Sequence, residues 1–283
     1  MNGALDLFAQ VTVNGIAVGA IYALVALGIV LIHKATEVLN FAHGDLLVLS
    51  AFVAWALIER AGMPFWLVLP VVALGIGALA YGLDAVIVRR IAGQPQFSGV
   101  MLTIALAFMI RGAVSMGFGP DSRSYQTPWS GQTTEIAGVA VTELSLVIML
   151  VALLIAVMLW LFFSRTRLGV AMQAASQNQL AAYLNGVKVK RLNSLVWALG
   201  GVTAAIAGMF LAPVSLVDTA LWLITLKALA AIVLGGVLIG LIEQYAGVYL
   251  PDGFKDIAPY LVLIAVLILR PRGIMGEAHG RRV

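Results

Sequence analysis

The sequence predicts an all-α, polytopic membrane protein, and three observations carry that prediction. Of its 283 residues, 62% are hydrophobic and only 11% charged, whereas a water-soluble domain carries roughly 25% charged residues. Thirteen acids and 17 bases cannot clothe a water-facing surface of this size, so a soluble fold is excluded. Second, Val11 to Ile32, Leu144 to Phe163 and Leu195 to Val217 contain no charge at all. At about 1.5 Å per residue each run covers a hydrocarbon core of roughly 30 Å. Third, the bases gather between the apolar runs, as a topology code does, and not in a stripe that would bind nucleic acid. At about 20 residues per crossing, the chain has room for eight or nine membrane-entering helices, some of them broken or re-entrant, in one transmembrane domain spanning 1–283.

The first helix, around Val11 to Ile32, follows MNGALDLFAQ, which holds an acid and no base. That start lacks the basic region of a cleaved leader, so this helix is expected in the mature protein. Next come His33 to Asp45, a polar interruption discussed below, and the shorter apolar run Leu46 to Ile58. Phe65 to Val88 holds one acid, Asp84, one turn from Arg89 and Arg90, and Phe97 to Gly117 holds one base, Arg111. Residues 119–143 are polar, include Pro120, Pro128 and Trp129, and are expected to form an ordered periplasmic loop. Leu144 to Phe163 spans, residues 164–193 form a basic-flanked loop, and Leu195 to Val217 spans again.

Short loops rich in Lys and Arg favour the cytoplasm. Arg89 with Arg90, then Arg165 to Arg191, then the 270–283 tail with its four arginines mark three cytoplasmic regions. Parity then constrains residues 218–256. If Leu223 to Leu250 were one helix, the basic tail would lie on the wrong face, so this stretch must enter and return. Gly235-Gly236 is the only place to turn, yet two glycines between Leu234 and Val237 make a poor reversal at membrane depth, where backbone groups need partners. Either the turn is buried against other protein, or residues that made a loop between Gly236 and Val237 are absent from this sequence.

Small residues recur four apart at Gly15 and Gly19, Gly200, Ala204 and Gly208, and Gly236 and Gly240. Such faces let helices approach closely in a bilayer, which predicts a compact bundle. Isolated charges at Arg111, Asp84, Lys227 and Glu243 are expected to snorkel to an interface or to pair within their own helix.

Two segments stand out as functional. In His33 to Asp45 the apolar LNFA is followed closely by polar His43 and Asp45 and re-enters apolar sequence at once. Interrupted helices often line transport sites, and a cytoplasmic loop is the competing reading. The second is Ala171 to Leu184, a good helix former that stops at Asn185-Gly186. It is too short and polar to span. A surface anchor would be Lys-rich, but this helix shows Gln173, Ser176, Gln177, Asn178 and Gln179, a polar uncharged face suited to another protein's groove.

Other chemistry is excluded by composition. There is no cysteine, and the histidines are only His33, His43 and His279, which leaves no thiol nucleophile or histidine metal cluster. No G-x-x-x-x-G-K-[ST] cradle, H-E-x-x-H pair or G-x-S-x-G elbow occurs. The chain is not an enzyme on this reading and has no P-loop with which to hydrolyse ATP.

NFAHGD at 40–45, with NGIAVGAIYALVALGIVLIHKATEVL before it, RTRLGVAMQAAS and AAYLNGV in the basic-flanked loop, KALAAIVLGG, and LILRPRGIMG near the end together resemble the permease subunits of ABC importers for branched-chain amino acids. The likeness is to the shorter H-type subunit and covers nearly the whole chain. It implies a bacterial inner-membrane permease with a cytoplasmic C-terminus, acting beside a second, M-type permease, two cytoplasmic ATPase subunits and a periplasmic binding protein. ATP and Mg would be bound by the ATPases and no cofactor by this chain. The resemblance makes 171–187 a coupling helix, with Ala174, Ala175, Ala181 and Gly186 on the family's alanine and glycine positions and Gln177 and Asn178 between them. It makes Asn40, Phe41, His43 and Asp45 candidates for the substrate pathway. Family members usually continue VLGG into a Gly/Pro-containing loop, at the point where parity expects a missing turn. A urea or short-amide importer is the nearest alternative substrate class, and a secondary transporter working alone is the alternative from another class.

Overall fold

A computed structural model describes residues 2–91, 94–136, 139–251 and 253–269. The expected basic tail, 270–283, lies outside them. In chain order the elements are α1 (Asn2–Thr36), α2 (His43–Trp55), α3 (Phe65–Val86), α4 (Gln96–Phe118), β1 (Thr133–Ile136), β2 (Val139–Thr142), α5 (Glu143–Arg165), α6 (Arg167–Gln177), α7 (Gln179–Leu184), α8 (Val189–Leu211), α9 (Ile224–Leu234), α10 (Gly236–Tyr249) and α11 (Phe254–Leu269). Five of these, α1, α3, α4, α5 and α8, are long and apolar enough to cross a membrane. The bent pair α9 and α10 provides a sixth such stretch, while α2 and α11, at 13 and 16 residues, fall short of a full crossing.

The sequence boundaries shift where local chemistry intervenes. The apolar run ending at Val217 stops being helical at Leu211, because Pro213 has no N–H to continue the ladder. Val217 instead pairs with Arg123 in an antiparallel bridge of 2.8 and 2.9 Å, which ties the 119–143 loop down. Tyr125 of the same loop is buried and donates to the Met209 carbonyl at 2.6 Å, and that burial pushes its phenol up. Asp218 accepts from Ala220 N–H and from Ser122, and these bonds hold its carboxyl below the usual range. The loop also carries a β1–β2 hairpin, Thr133 opposite Thr142, which the all-α expectation did not include.

Burial sorts the helices. The most apolar windows of α1 and α8 are 72% buried, whereas that of α5 is 11% buried, so α1 and α8 are central and α5 is peripheral. Helix α8 packs on α1, α2 and α3, and buries Trp197, Met209 and Phe210. In lipid there is no water to expel between helices, so close approach and dispersion hold such a bundle. The small residues supply that approach. A Cβ on Gly240 would overlap the backbone of Gly15 and Gly19, and one on Gly19 would overlap the Gly236 carbonyl and Val237. Backbones of α1 and α10 therefore touch, as the four-residue spacing predicts.

The chain bends sharply between 218 and 256. Helices α9 and α10 meet at 119°, and the turn is one residue long. Gly235 takes φ +88°, ψ 133°, a region essentially closed to residues with a Cβ. Gly236 and Val237 are the first two residues of α10. The turn does not leave its backbone stranded: Gly235 N–H reaches the Ala231 carbonyl at 2.8 Å, and its own carbonyl accepts from Ile239 at 3.3 Å.

Asp84 sits beside Arg89, one turn on, as its spacing suggests, whereas the other three isolated charges depart from expectation by joining different helices. Arg111 of α4 pairs with Asp45 of α2. Asp84 accepts from Ser194 of α8 and lies 3.8 Å from Arg89. Lys227 of α9 lies 3.0 Å from Glu243 of α10 and 2.9 Å from Asp256 of α11, and Glu243 also accepts from Tyr22 of α1. A charge left alone in lipid is costly. Each of these has partners from neighbouring elements, a contact that sequence spacing cannot show.

Candidate functional site at the interrupted helix

Helix α1 ends because Glu37 turns out of it. Its φ of +58° is the one positive value among described non-glycine residues, and its N–H closes on the His33 carbonyl at 2.8 Å, the single-bond form of a left-handed helix stop. Residues 37–42 then run irregularly to α2. Their backbone groups are met by side chains: Gln96 donates to the Glu37 carbonyl at 3.0 Å, and Thr103 donates to the Leu39 carbonyl while accepting from Phe41 N–H. Backbone groups outside a helix ladder need such partners wherever they are buried.

All four pathway candidates converge here. Asn40 is buried and folds its Oδ1 onto Ala42 N–H at 3.0 Å. Phe41 is half-buried. His43, the first residue of α2, is fully buried against α1 at Gly28 and against Thr203 of α8; a Cβ on Gly28 would occupy the imidazole's space. Asp45, 1% exposed, receives two hydrogen bonds from Arg111, at 2.8 and 3.1 Å. The guanidinium is sandwiched further, 4.2 Å from the Trp222 ring and 5.4 Å from that of Phe108. Bidentate pairing and aromatic stacking together fix its position.

Among the described residues, the Asn40 Nδ2, both His43 ring nitrogens and Thr225 Oγ1 lack hydrogen-bond partners although buried. Asn40 and Thr225 line one small cavity with Ile29, Leu39, Phe41 and Leu229. Buried polar groups are normally satisfied, so this cluster marks a place where the bundle keeps polar capacity in reserve between α1, α2 and α9. Sequence reasoning missed Thr103, Thr225, Trp222 and Gly28. The threonines are lone hydroxyls in apolar helices, and nothing local to them announces a contact across the bundle.

The second candidate segment is two helices rather than one. Asn178 leaves the helical region at φ −155°, ending α6, and its Oδ1 caps α7 by accepting from Ala181 N–H at 2.8 Å. Thr166 caps α6 in the same way through Gly169 N–H at 3.0 Å. Ala174, Gln177, Asn178, Ala181 and Gly186 are exposed, whereas Ala175 is turned inward and buried. A charge at Ala175 thus disturbs this chain's own packing, and exposed positions such as Ala174 are the ones that can meet another molecule. The hairpin also exposes Leu180, Tyr183 and Leu184, apolar groups that a reading centred on its polar face passed over.

A buried, interrupted helix with charged and polar groups at its break, inside a bundle of membrane-length helices, is the architecture of a multi-pass membrane protein. A family model described as "Branched-chain amino acid transport system / permease component" matches residues 11–270, and the chain belongs to that family. Over 301 aligned positions it is 26% identical to the high-affinity branched-chain amino acid transport system permease protein BraD of Pseudomonas aeruginosa, covering 98% of each chain. The identity and coverage are the same for the corresponding LivH of Escherichia coli K12. A ribose import permease of Haemophilus influenzae, RbsC, is 29% identical over 243 residues, covering 83% of this chain and 69% of its own. No solved structure matches the chain. These relatives are transport permeases and not enzymes. The alignment with BraD is longer than the 283-residue chain, so it contains positions that have no counterpart here.

Proposed function

We propose that this chain is one permease of an ABC importer that carries hydrophobic, branched-chain amino acids across the bacterial inner membrane, with its C-terminus in the cytoplasm. It works beside a second permease, two ATPase subunits that bind ATP and Mg, and a periplasmic binding protein. The observation that carries this reading is the α6–α7 hairpin, which protrudes between basic flanks with an exposed polar and apolar face and no membrane-length helix of its own. Residues 164–193 are the coupling loop, on which Ala174, Gln177, Asn178, Ala181 and Gly186 face the ATPase. Residues 119–143 form the periplasmic loop. Asn40, Phe41, His43 and Asp45 stand beside the pathway, where the reserve of unpaired polar atoms suits a solute in transit.

Affinity purification in mild detergent tests assembly: ATPase subunits are expected to accompany the chain. Reconstituted vesicles given the loaded binding protein then test the solute, with leucine, ribose and urea as parallel arms. ATP-dependent leucine uptake is expected. A chain that purifies alone, or that moves solute without ATP, overturns the importer reading, and uptake in only the ribose or urea arm overturns the amino-acid assignment.

A further inference from the structure

A cleft of about 1160 Å³ lies at the end of the bundle that carries the hairpin, lined on one side by Glu37, Arg89 and Gln96, among others, and on the other by Gln179, Tyr183 and Lys190. Arg89 and Asp84 reach across it to Lys190 and Ser194 of α8, and one side chain of the hairpin reaches α1: Gln179, the first residue of α7, donates from Nε2 to the Ala35 carbonyl at 2.9 Å. That carbonyl belongs to the last turn of α1, where the helix has run out of N–H groups to offer. Immediately beyond it lies Glu37 in its left-handed conformation, and then the irregular stretch to His43. The far side of this stretch is held by Gln96 and Thr103 of α4. The segment between α1 and α2 is therefore strung between α4 and α7.

We infer that Gln179 is the positioning residue that carries displacement of the α6–α7 hairpin into the α1–α2 interruption. The inference rests on the importer reading above, in which the hairpin is the part an ATPase moves. Helix α6 also packs against α1, but among the described residues Gln179 makes the hydrogen bond from the hairpin to the α1 terminus. When the hairpin moves, this bond pulls on the carbonyl one residue before the α1 stop begins to unwind. Glu37 is the natural hinge, since its backbone sits in a sparsely populated region that it can leave downhill. What reaches the far end is a change in how Asn40 and His43 lie against α9 and α1.

The test uses the assembled importer in vesicles and two variants, Gln179→Ala, which removes the donor, and Gln179→Lys, which keeps an N–H donor at similar reach. The readout is leucine transported per ATP hydrolysed. Gln179→Ala is expected to hydrolyse ATP at close to the wild-type rate while transport per ATP falls about fivefold, the equilibrium factor of one neutral hydrogen bond. Gln179→Lys is expected to restore most of the ratio. Wild-type coupling in Gln179→Ala, equal defects in both variants, or failure of Gln179→Ala to assemble each overturns the latch. Absence of ATP-driven uptake in the wild-type complex instead overturns the importer reading beneath it.

Discussion

The chain breaks its helices twice inside the bundle, and the two breaks are built differently. Between α1 and α2 the interruption is six residues long, 37–42; Gln96 and Thr103 of α4 hold its Glu37 and Leu39 carbonyls, and Gln179 holds the end of α1 just before it. Between α9 and α10 it is one residue, Gly235, which satisfies its own N–H and carbonyl within the two helices it joins. The first break leaves polar atoms unpaired at Asn40 and His43. The second is flanked by charges that are fully engaged, Lys227 with Glu243 and Asp256. A long break supported from outside can be reshaped by its supports. A short, self-satisfied one holds two helices at a fixed angle.

Four substitutions and one titration bear on that contrast, beginning with the largest effect. Gly240→Val forces a branched side chain into the backbone contact between α10 and α1 and should cost more than about 4 kcal/mol, seen as loss of folded protein by size-exclusion chromatography in detergent. A folded, monodisperse variant would show that the second break tolerates sliding of its arms. Arg111→Met strands the buried Asp45 carboxylate at about 3 kcal/mol, with Asp45→Asn restoring part of that in the double variant. Lys227→Met should cost less, about 2 kcal/mol, because Glu243 keeps the Tyr22 hydroxyl. If thermal melts rank Lys227→Met above Arg111→Met, the two ion clusters have been weighted the wrong way round. Gly235→Ala should cost about 1 to 2 kcal/mol through its φ of +88° and leave the uptake ratio unchanged, in contrast to Gln179→Ala.

The smallest effect is a titration well away from either break. Asp218 has its carboxyl lowered by Ala220 N–H and Ser122, so its contribution is complete above the unfolded value of about 3.9 and is lost as pH falls through the folded one. Asp218→Asn should flatten the acid limb of a melting-temperature profile. An unchanged profile would show that the Asp218 contacts do not hold the 119–143 loop.

Much of the membrane architecture could be read from charge-free runs, because length and apolarity are local properties of the chain. A turn at the Gly235-Gly236 pair was readable in the sequence, but its one-residue form, resting on a φ open to glycine, was not. The interruption at 37–42 was visible as polar residues in apolar company. Its supports were not, since Thr103 lies 62 residues from Phe41 and carries no pattern in its own helix. The ion pairs failed for the same reason, as Arg111 and Asp45 are 66 residues apart. Ala175 lies in a short helix, as the sequence suggested, but that it faces inward could not be read locally.

The contact of Gly15 and Gly19 with Gly236 and Gly240 also sets a schedule for biogenesis. Helix α1 leaves the ribosome first, but the face it needs is not made until some 220 residues later, on the order of ten to fifty seconds at about 5–20 residues per second. During that interval its glycine strip has only lipid or the insertion machinery to lie against. Truncated chains ending before residue 236 should therefore be the forms that quality-control proteases remove.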